Sequence, residues 1–483
     1  MRILHVDVDS LRPDHLGCYG YHRDTSPNID RIARDALVFE QCYASDTPCL
    51  PSRTAMWSGR TGFHTGVVGH GGSAAVPFGE GAARREQDLL STTGWMSVLR
   101  GAGLRTASIS SFGERHSAWH WYAGFTEIYN PGMRGMESAH DVNLLARDWL
   151  RRNAASDDWY LHVNYWDPHT PYRVPDDDGD PFAGEPLPAW LNDEVRARLW
   201  DGHGPHSARE PRGWDDEGGD RGPWPRMPCE IDSMQALREW IDAYDAGVRY
   251  ADEHIGALFE ELDRAGVLDE SVLIITGDHG ENLGELNIWG DHQTADLITC
   301  RIPMIVRWPG VPARIDRALH YHFDVVATLL ELAGAEVPAI WDARPFAGAV
   351  RSGNEDGRNY LVCGQGAWSC QRAVRFDRYM CIRTYHDGFK DLRPVMLFDA
   401  IDDAHEQRDL AAERPAVVDH SMHLLSDWHA GMVASAPAAV DPLVTVIREG
   451  GPLYTQGMLP EYLSRLRATG RERHARALAE RHG

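Results

Sequence analysis

Val272-Leu273-Ile274-Ile275-Thr276 runs straight into Gly277-Asp278-His279-Gly280. An unbroken apolar, β-branched run ending in a glycine turn describes a strand buried on both faces. Such strands belong to parallel sheets covered by helices. The preceding stretch agrees, because Ala236 to Ala265 carries apolar residues at helical spacing and reads as one long amphipathic helix. Outward from this pair the alternation repeats. Arg2–Asp9, Val38–Glu40, Thr106–Ile109 and Trp159–Asn164 read as strands. A helix starting at Pro27, capped near Ser26 or Asn28, and helices over Gly94–Ala102 and Val142–Ala154 lie between them. The pattern predicts an α/β fold with a large, doubly wound, mostly parallel sheet flanked by helices. In such sheets ligands sit beyond the carboxyl ends of the strands. Asp9 and Asp278 both stand at such ends.

At 483 residues the chain exceeds what a single hydrophobic core fills. From about residue 345 the long helices give way to strands over Tyr360–Val362, Ala373–Arg375, Tyr379–Arg383 and Val395–Asp399, followed by a helix from Ala416 to Met432. We therefore expect a catalytic α/β domain over 1–345 and a C-terminal part over 346–483, a small antiparallel sheet with a helix. Residues 174–230 are rich in Asp, Gly, Pro and Trp without periodicity, and read as an insertion or lid. Leu463 to His482 is an arginine-rich helical stretch. Its default reading is a solvated helix, and the alternative is a contact between subunits.

Composition excludes several classes. A net charge of −24 argues against nucleic acid as a partner. No apolar run reaches membrane-spanning length. Met1-Arg2-Ile3-Leu4 enters the first strand without an apolar leader, which points to the cytoplasm, or to the periplasm or exterior if a leader has been removed. The 8 cysteines show no zinc spacing, and Cys363 and Cys370 alone could meet across a hairpin, although reduced thiols suit a cytoplasmic protein better. Lys390 is the only lysine. No lysine is therefore available for catalysis before it.

Cys49-Leu50-Pro51-Ser52-Arg53 follows Asp46-Thr47-Pro48 in a proline-framed loop, and a helix is expected from Ser52 onward. A helix N-terminus beside Cys49, with Arg53 as a fixed planar cation, makes an anion site. The pentapeptide resembles the sulfatase signature, whose cysteine is oxidised to formylglycine by a formylglycine-generating enzyme. The resemblance implies that the hydrated aldehyde at Cys49 is the nucleophile, and that Arg53 helps to clamp the sulfate.

Other motifs extend the resemblance. Val8-Asp9-Ser10-Leu11-Arg12-Pro13-Asp14-His15 is similar to the sulfatase N-terminus, and Gly277-Asp278-His279-Gly280 to its second metal arm. Asp9, Asp278 and His279 match metal ligands, and an oxygen-rich set with one imidazole suits Ca²⁺ first, with Mg²⁺ or Mn²⁺ as alternatives. Asp7, two residues before Asp9, shares its strand face and is a further candidate ligand. Asp167-Pro168-His169-Thr170-Pro171 resembles the motif whose histidine contacts the anion, which assigns His169 to it. Phe398–Leu410 resembles the closing stretch of sulfatases. Both customary lysines are missing, however. His292 falls where one is expected, and Ser110–His116 stands where the other motif belongs. A histidine is then the expected proton donor to the leaving group, His292 first and His116 second. His70, His120 and Arg115 are candidate substrate contacts. Read together, these residues imply hydrolysis of a small or oligosaccharide sulfate ester. The alternative is a phosphonate monoester hydrolase or phosphodiesterase of the same alkaline-phosphatase-like superfamily.

Overall fold

The computed structural model describes residues 1–80, 85–86, 89–175, 179–213, 226–436, 438 and 440–483. The elements that build the site run in chain order as β1 (Arg2–Val8), β2 (Leu37–Phe39), β3 (Asp46–Thr47), α1 (Cys49–Ser58), β4 (Arg105–Ile109), β5 (Glu127–Tyr129), α2 (Ala139–Asn153), β6 (Trp159–Tyr165), α3 (Met234–Arg264), β7 (Val272–Gly277), β8 (Met304–Arg307), β9 (Arg314–Asp316), α4 (His322–Leu332), β10 (Tyr360–Gln365), β11 (Cys370–Phe376), β12 (Tyr379–His386), β13 (Val395–Asp399) and α5 (Pro415–Ser435).

The large sheet has the order β9-β2-β8-β7-β1-β6-β4-β5. Its pairs are parallel except those that β8 makes with β7 and β2. Central β1 is buried on both faces, and its alternation sorts the layers. Leu4, Val6 and Val8 pack with α2 and α3, while Ile3 joins Met56 and Trp57 of α1 and Val325 of α4. The period of two sends Asp7, and beyond the strand Asp9, to the α1 side. Val8 lies opposite Gly277 of β7 and Tyr165 of β6. That register carries Asp9 and Asp278 out of neighbouring strands side by side.

The second sheet has the order β13-β12-β11-β10-β3. Four antiparallel strands match the sequence expectation. The fifth, β3, lies parallel to β10, with Gly364 opposite Asp46 and Gln365 opposite Thr47. The loop carrying the nucleophile candidate is thus hydrogen-bonded into the C-terminal sheet.

Three local expectations need correction. Helix α1 begins at Cys49, not Ser52. Pro51 is tolerated in its first turn, where a missing N–H costs no intrahelical bond. Helix α2 begins at Ala139, not Val142, because Ser138 and Asp141 form a capping box. The arginine-rich tail is two helices, Leu459–Ala468 and Glu472–His482, broken at Gly470 with φ +74°. It is not simply solvated. Tyr462, Leu466, Ala475 and Leu478 pack on Phe389, and Arg465 pairs with Glu210 at 3.0 Å. All eight cysteines are free thiols, and Cys363 lies opposite Ala373, so it does not face Cys370 across the hairpin. Of the 174–230 segment, Asn192 caps a short helix, Asp193–Trp200. Residues 176–178 and 214–225, with Trp214 and Trp224, lie outside the described residues. Among the described residues no helix is long and apolar enough to cross a membrane.

Candidate active site

Cys49 sits in the first turn of α1, fully buried, with its Sγ 3.1 Å from His279 Nε2. Two bonds fix this turn. Ser52 Oγ donates to the Asp278 carbonyl at 2.6 Å, and the Leu50 N–H donates to His70 Nε2 at 3.4 Å. Burial pushes the Cys49 thiol well above its ordinary pKa, and the carboxylates of Asp9 and Asp278 push it further. The unmodified side chain is therefore a neutral thiol and a poor nucleophile.

Asp7, Asp9 and Asp278 surround one guanidinium. Arg53 Nε and Nη2 reach the two oxygens of Asp7 at 2.7 and 3.1 Å, and Nη1 reaches Asp9 at 2.8 Å and Asp278 at 2.6 Å. Burial opposes the charge on Asp7 and Asp9, but Arg53, with His162 beside Asp7 and with His169 and His279 beside Asp9, outweighs it and holds both below the usual carboxylate range. Asp278 differs. Burial raises its pKa well above the usual value, and repulsion from Asp9 and Asp7 adds to that despite Arg53. Three buried carboxylates on one arginine leave an excess of negative charge that a cation would offset.

The donor set fits such a cation. Ligating atoms of Asp9, Cys49, Asp278 and His279 lie within 4.8 Å of one another. His279 Nδ1 bonds the Gly280 carbonyl at 2.9 Å, which places its proton there and leaves the Nε2 lone pair facing the cluster. Asp7 is outside this group. Both its oxygens are engaged by Arg53, and Oδ2 also meets His162 Nε2 at 3.3 Å. Asp7 thus stands behind the group as the partner of Arg53. Arg53 in turn is enclosed by the carboxylates of Asp7, Asp9 and Asp278 and is not among the residues that line the cavity.

Above Cys49 opens a cavity of about 610 Å³ lined by His70, Arg115, His116, His169, Asp291, His292 and further residues. The expected histidines converge. His292 lies 4.0 Å from His279 and 5.4 Å from His169 between ring centres, and His70 lies 4.8 Å from His116. His169 Nε2 is 3.9 Å from Asp9 Oδ1. Burial pushes His169 and His292 down to about 3, and His116 and His70 well below their ordinary value. All four are neutral imidazoles in the free protein. His292 Nδ1 and His116 Nε2 are buried polar atoms with no hydrogen-bond partner.

Arg115 lies over Trp166, with its guanidinium carbon 4.8 Å from the ring centre. Among the described residues it makes no ion pair, so its charge is open to an anion in the cavity. His120 is elsewhere. Its Nε2 bonds Thr54 Oγ1 of α1 at 2.9 Å, and it is not among the residues that line the cavity. Trp368, Tyr454 and Asp291 line the cavity without having been singled out in the sequence. Asp291 ends the short strand Trp289–Asp291 directly before His292, which is a local signal. Tyr454 offers none, being some four hundred residues from Cys49 and placed only by tertiary packing.

A family profile described as Sulfatase matches residues 2–335. This chain belongs to the sulfatase family. Human iduronate 2-sulfatase is 26% identical over 350 residues, 66% of this chain and 61% of that protein. Choline-sulfatase of Rhizobium meliloti is 25% identical over 360 residues, 67% of this chain and 65% of that protein. The matched part thus spans under two thirds of each relative. Among solved structures, one determined in complex with its substrate D-glucosamine-2-N,6-O-disulfate superposes with a TM-score of 0.72 at 19% identity, covering 90% of this chain and 99% of that one. The phosphonate monoester hydrolase of Silicibacter pomeroyi superposes with a TM-score of 0.65 at 19% identity, covering 92% and 97%. At these identities the superpositions speak for the fold, a mixed α/β architecture with a large mostly parallel sheet and a smaller antiparallel one.

Proposed function

We propose that this sulfatase-family chain hydrolyses an organic sulfate ester, with formylglycine made from Cys49 as nucleophile and one divalent cation held by Asp9, Asp278 and His279. The observation that carries the reading is Cys49 itself. Its Sγ lies within 4.8 Å of ligating atoms of Asp9, Asp278 and His279 and lines the anion cavity, where a nucleophile would meet a bound ester. Oxidation by a formylglycine-generating enzyme would replace it with an aldehyde whose hydrate supplies the attacking oxygen. Ca²⁺ suits the oxygen-rich donors, Mg²⁺ and Mn²⁺ being the alternatives, and a bound cation would supply charge stabilisation to the attack.

The chain's own residues would do the rest. Arg53 holds Asp9 and Asp278 in place. Arg115 takes a sulfate oxygen and His116 donates to another, while His169, whose Nδ1 proton goes to the Thr170 carbonyl, would donate from Nε2 once a bound anion favours its protonated form. His292 Nδ1 faces no protein partner, and a sulfate anion beside it would favour its protonated form, so His292 would deliver the proton to the departing alcohol. His292→Ala should then slow esters of poor leaving groups by about a hundredfold and nitrophenyl sulfate far less. Equal loss on both classes would remove His292 from this role.

The test of the function is direct. Intact-mass analysis after co-expression with a formylglycine-generating enzyme should show the mass deficit of thiol-to-aldehyde conversion at Cys49. The converted protein should release inorganic sulfate, and Cys49→Ala should not. A fully thiol-bearing protein with undiminished sulfate release would refute the reading. A second reading is phosphonate monoester hydrolysis by the same residues, since a phosphonate monoester hydrolase shares this fold. Comparing sulfate with phosphonate esters on one preparation separates the two.

A further inference from the structure

Tyr454 reaches the cavity from the far end of the chain. It belongs to the short turn Leu453–Thr455, beyond the helix Pro442–Arg448. That helix packs its Leu443 and Val446 on Val68 and Ala74 of the loop after α1 and on Cys370 of β11. Two contacts then fix the ring of Tyr454. It stacks on Trp368, with centres 4.3 Å apart and planes at 25°, and its hydroxyl bonds His70 Nδ1 at 3.0 Å. Trp368 is itself backed by Lys390 Nζ at 5.5 Å and by the His206 ring at 5.2 Å. The Tyr454 ring is thus held rigid before any ligand arrives, and it remains half-buried, facing the space above Cys49. Ala75 and Val76 add apolar surface to the same cavity.

The charge of this region is equally defined. Burial works against ionisation of Asp291, but His206 at 3.1 Å, the nearby His292 and the His292 N–H at 2.7 Å outweigh it and keep its pKa below the usual carboxylate range. Among the described residues, Arg115 and Asp291 are the lining groups that carry fixed charge. A single sulfate takes Arg115. A second anionic group would face Asp291 without a cation to match it.

Resting on the sulfate-ester reading, we infer that the C-terminal segment builds the subsite for the alcohol half, with Tyr454 stacked on Trp368 as its wall, and that this subsite takes an uncharged ring carrying one sulfate. A flat aromatic face rewards contact with the C–H face of a sugar or with an aryl ring, and a preordered one does so without an ordering cost. The surface of the alcohol, and not a second charge, then sets the choice of substrate.

Calorimetric binding to the Cys49→Ala protein, which leaves esters intact, tests this. Galactose 6-sulfate should bind about tenfold more tightly than methyl sulfate. Tyr454→Ala should erase that ratio, whereas Tyr454→Phe, which keeps the stack on Trp368, should preserve it. A glucuronate 2-sulfate should bind at least about tenfold more weakly than galactose 6-sulfate. An unchanged ratio in Tyr454→Ala, or equal loss in Phe and Ala, would overturn the wall. A uronate bound as tightly as the neutral sugar would overturn the preference for an uncharged ring. If sulfates fail to bind and phosphonates succeed, the sulfate reading falls, and the phenyl-to-methyl phosphonate ratio in the same variants decides the wall. Failure of every ester to bind overturns both.

Discussion

Two arginines close to Cys49 have opposite fates, and burial decides them. Arg53 has three carboxylates within hydrogen-bond distance, so its charge is spent inside the protein. Arg115 has an aromatic face and a carbonyl, and keeps its charge for a ligand. Arg115→Met should raise KM for a sulfate ester by about 10- to 100-fold, the worth of a charge-assisted hydrogen bond, with a smaller effect on kcat. Steady-state kinetics on one substrate checks this, and an unchanged KM would return the anion to another group. Lys390 shows the cost of burying a cation without a close carboxylate. Burial lowers its pKa to about 7, partly opposed by Asp291 and Asp387. Below that pH the ammonium is carried in both folded and unfolded states, and its burial penalty is fully present. Between about 7 and about 10.5 the unfolded chain holds a proton that the folded one has shed, so stability rises with pH. Lys390→Met should therefore raise Tm on the order of 5 °C at pH 6, with the gain shrinking towards pH 10. A gain that grows with pH would refute the assignment.

At the scale of elements, the helix Pro442–Arg448 carries a larger share of the site than its length suggests. Asp441 accepts from the Leu443 N–H at 3.0 Å at its start, and binds Arg372 with both oxygens at 2.6 and 2.7 Å. The same carboxylate thus caps the helix and ties it to β11. Asp441→Ala should cost about 3 kcal/mol in denaturant unfolding, since it removes a cap and strands the charge of Arg372. It should also lower affinity for ring-bearing sulfates, because Tyr454 hangs from this helix. Loss of stability without loss of affinity would detach Tyr454 from it. How far such elements could be read from sequence follows from what specifies them. Five of the eight strands of the large sheet were legible, since segments such as Val272–Thr276 or Arg2–Val8 carry their own apolar pattern, whereas Glu127–Tyr129, Met304–Arg307 and Arg314–Asp316 were not read. The early start of α1 was not, because Pro51 reads as a breaker unless its place in the first turn is known. Two-residue β3 has no pattern at all and exists only by pairing with β10. The proposed metal ligands Asp9, Asp278 and His279 stand at strand ends and could be picked out, and Cys49 by its motif. Tyr454 and Trp368 could not, as stacking between distant segments leaves no local trace.

For the molecule as a whole, the decisive fact is that both sheets converge on the turn bearing Cys49. Asp46–Thr47 pairs with β10 of the second sheet, and Asp278 at the end of β7 receives Ser52 of α1. A further apolar cluster joins Tyr43, Ala55 and Leu297 of the first part to Leu361, Ala373 and Ile382 of the second. An interface that shares a core and a sheet should not melt apart from its halves. Calorimetry should therefore show one cooperative transition, and a separate early transition for residues after 345 would contradict this. The carboxylate cluster lies at that junction, so the cation it is proposed to hold should govern the same transition. Without a cation, the raised pKa of Asp278 means that folding binds a proton that the unfolded chain lacks. Stability is then fully present below the ordinary carboxylate range, near about 4, and is lost as pH rises towards the folded pKa. A bound cation takes over the role of that proton at high pH. Chelation should lower Tm on the order of 5 °C at pH 8 and distinctly less at pH 5, as one undivided shift of the whole transition. Asp278→Asn, which removes the excess charge, should abolish most of that sensitivity. A chelator effect that is equal at both pH values, or that survives in Asp278→Asn, would place the cation elsewhere.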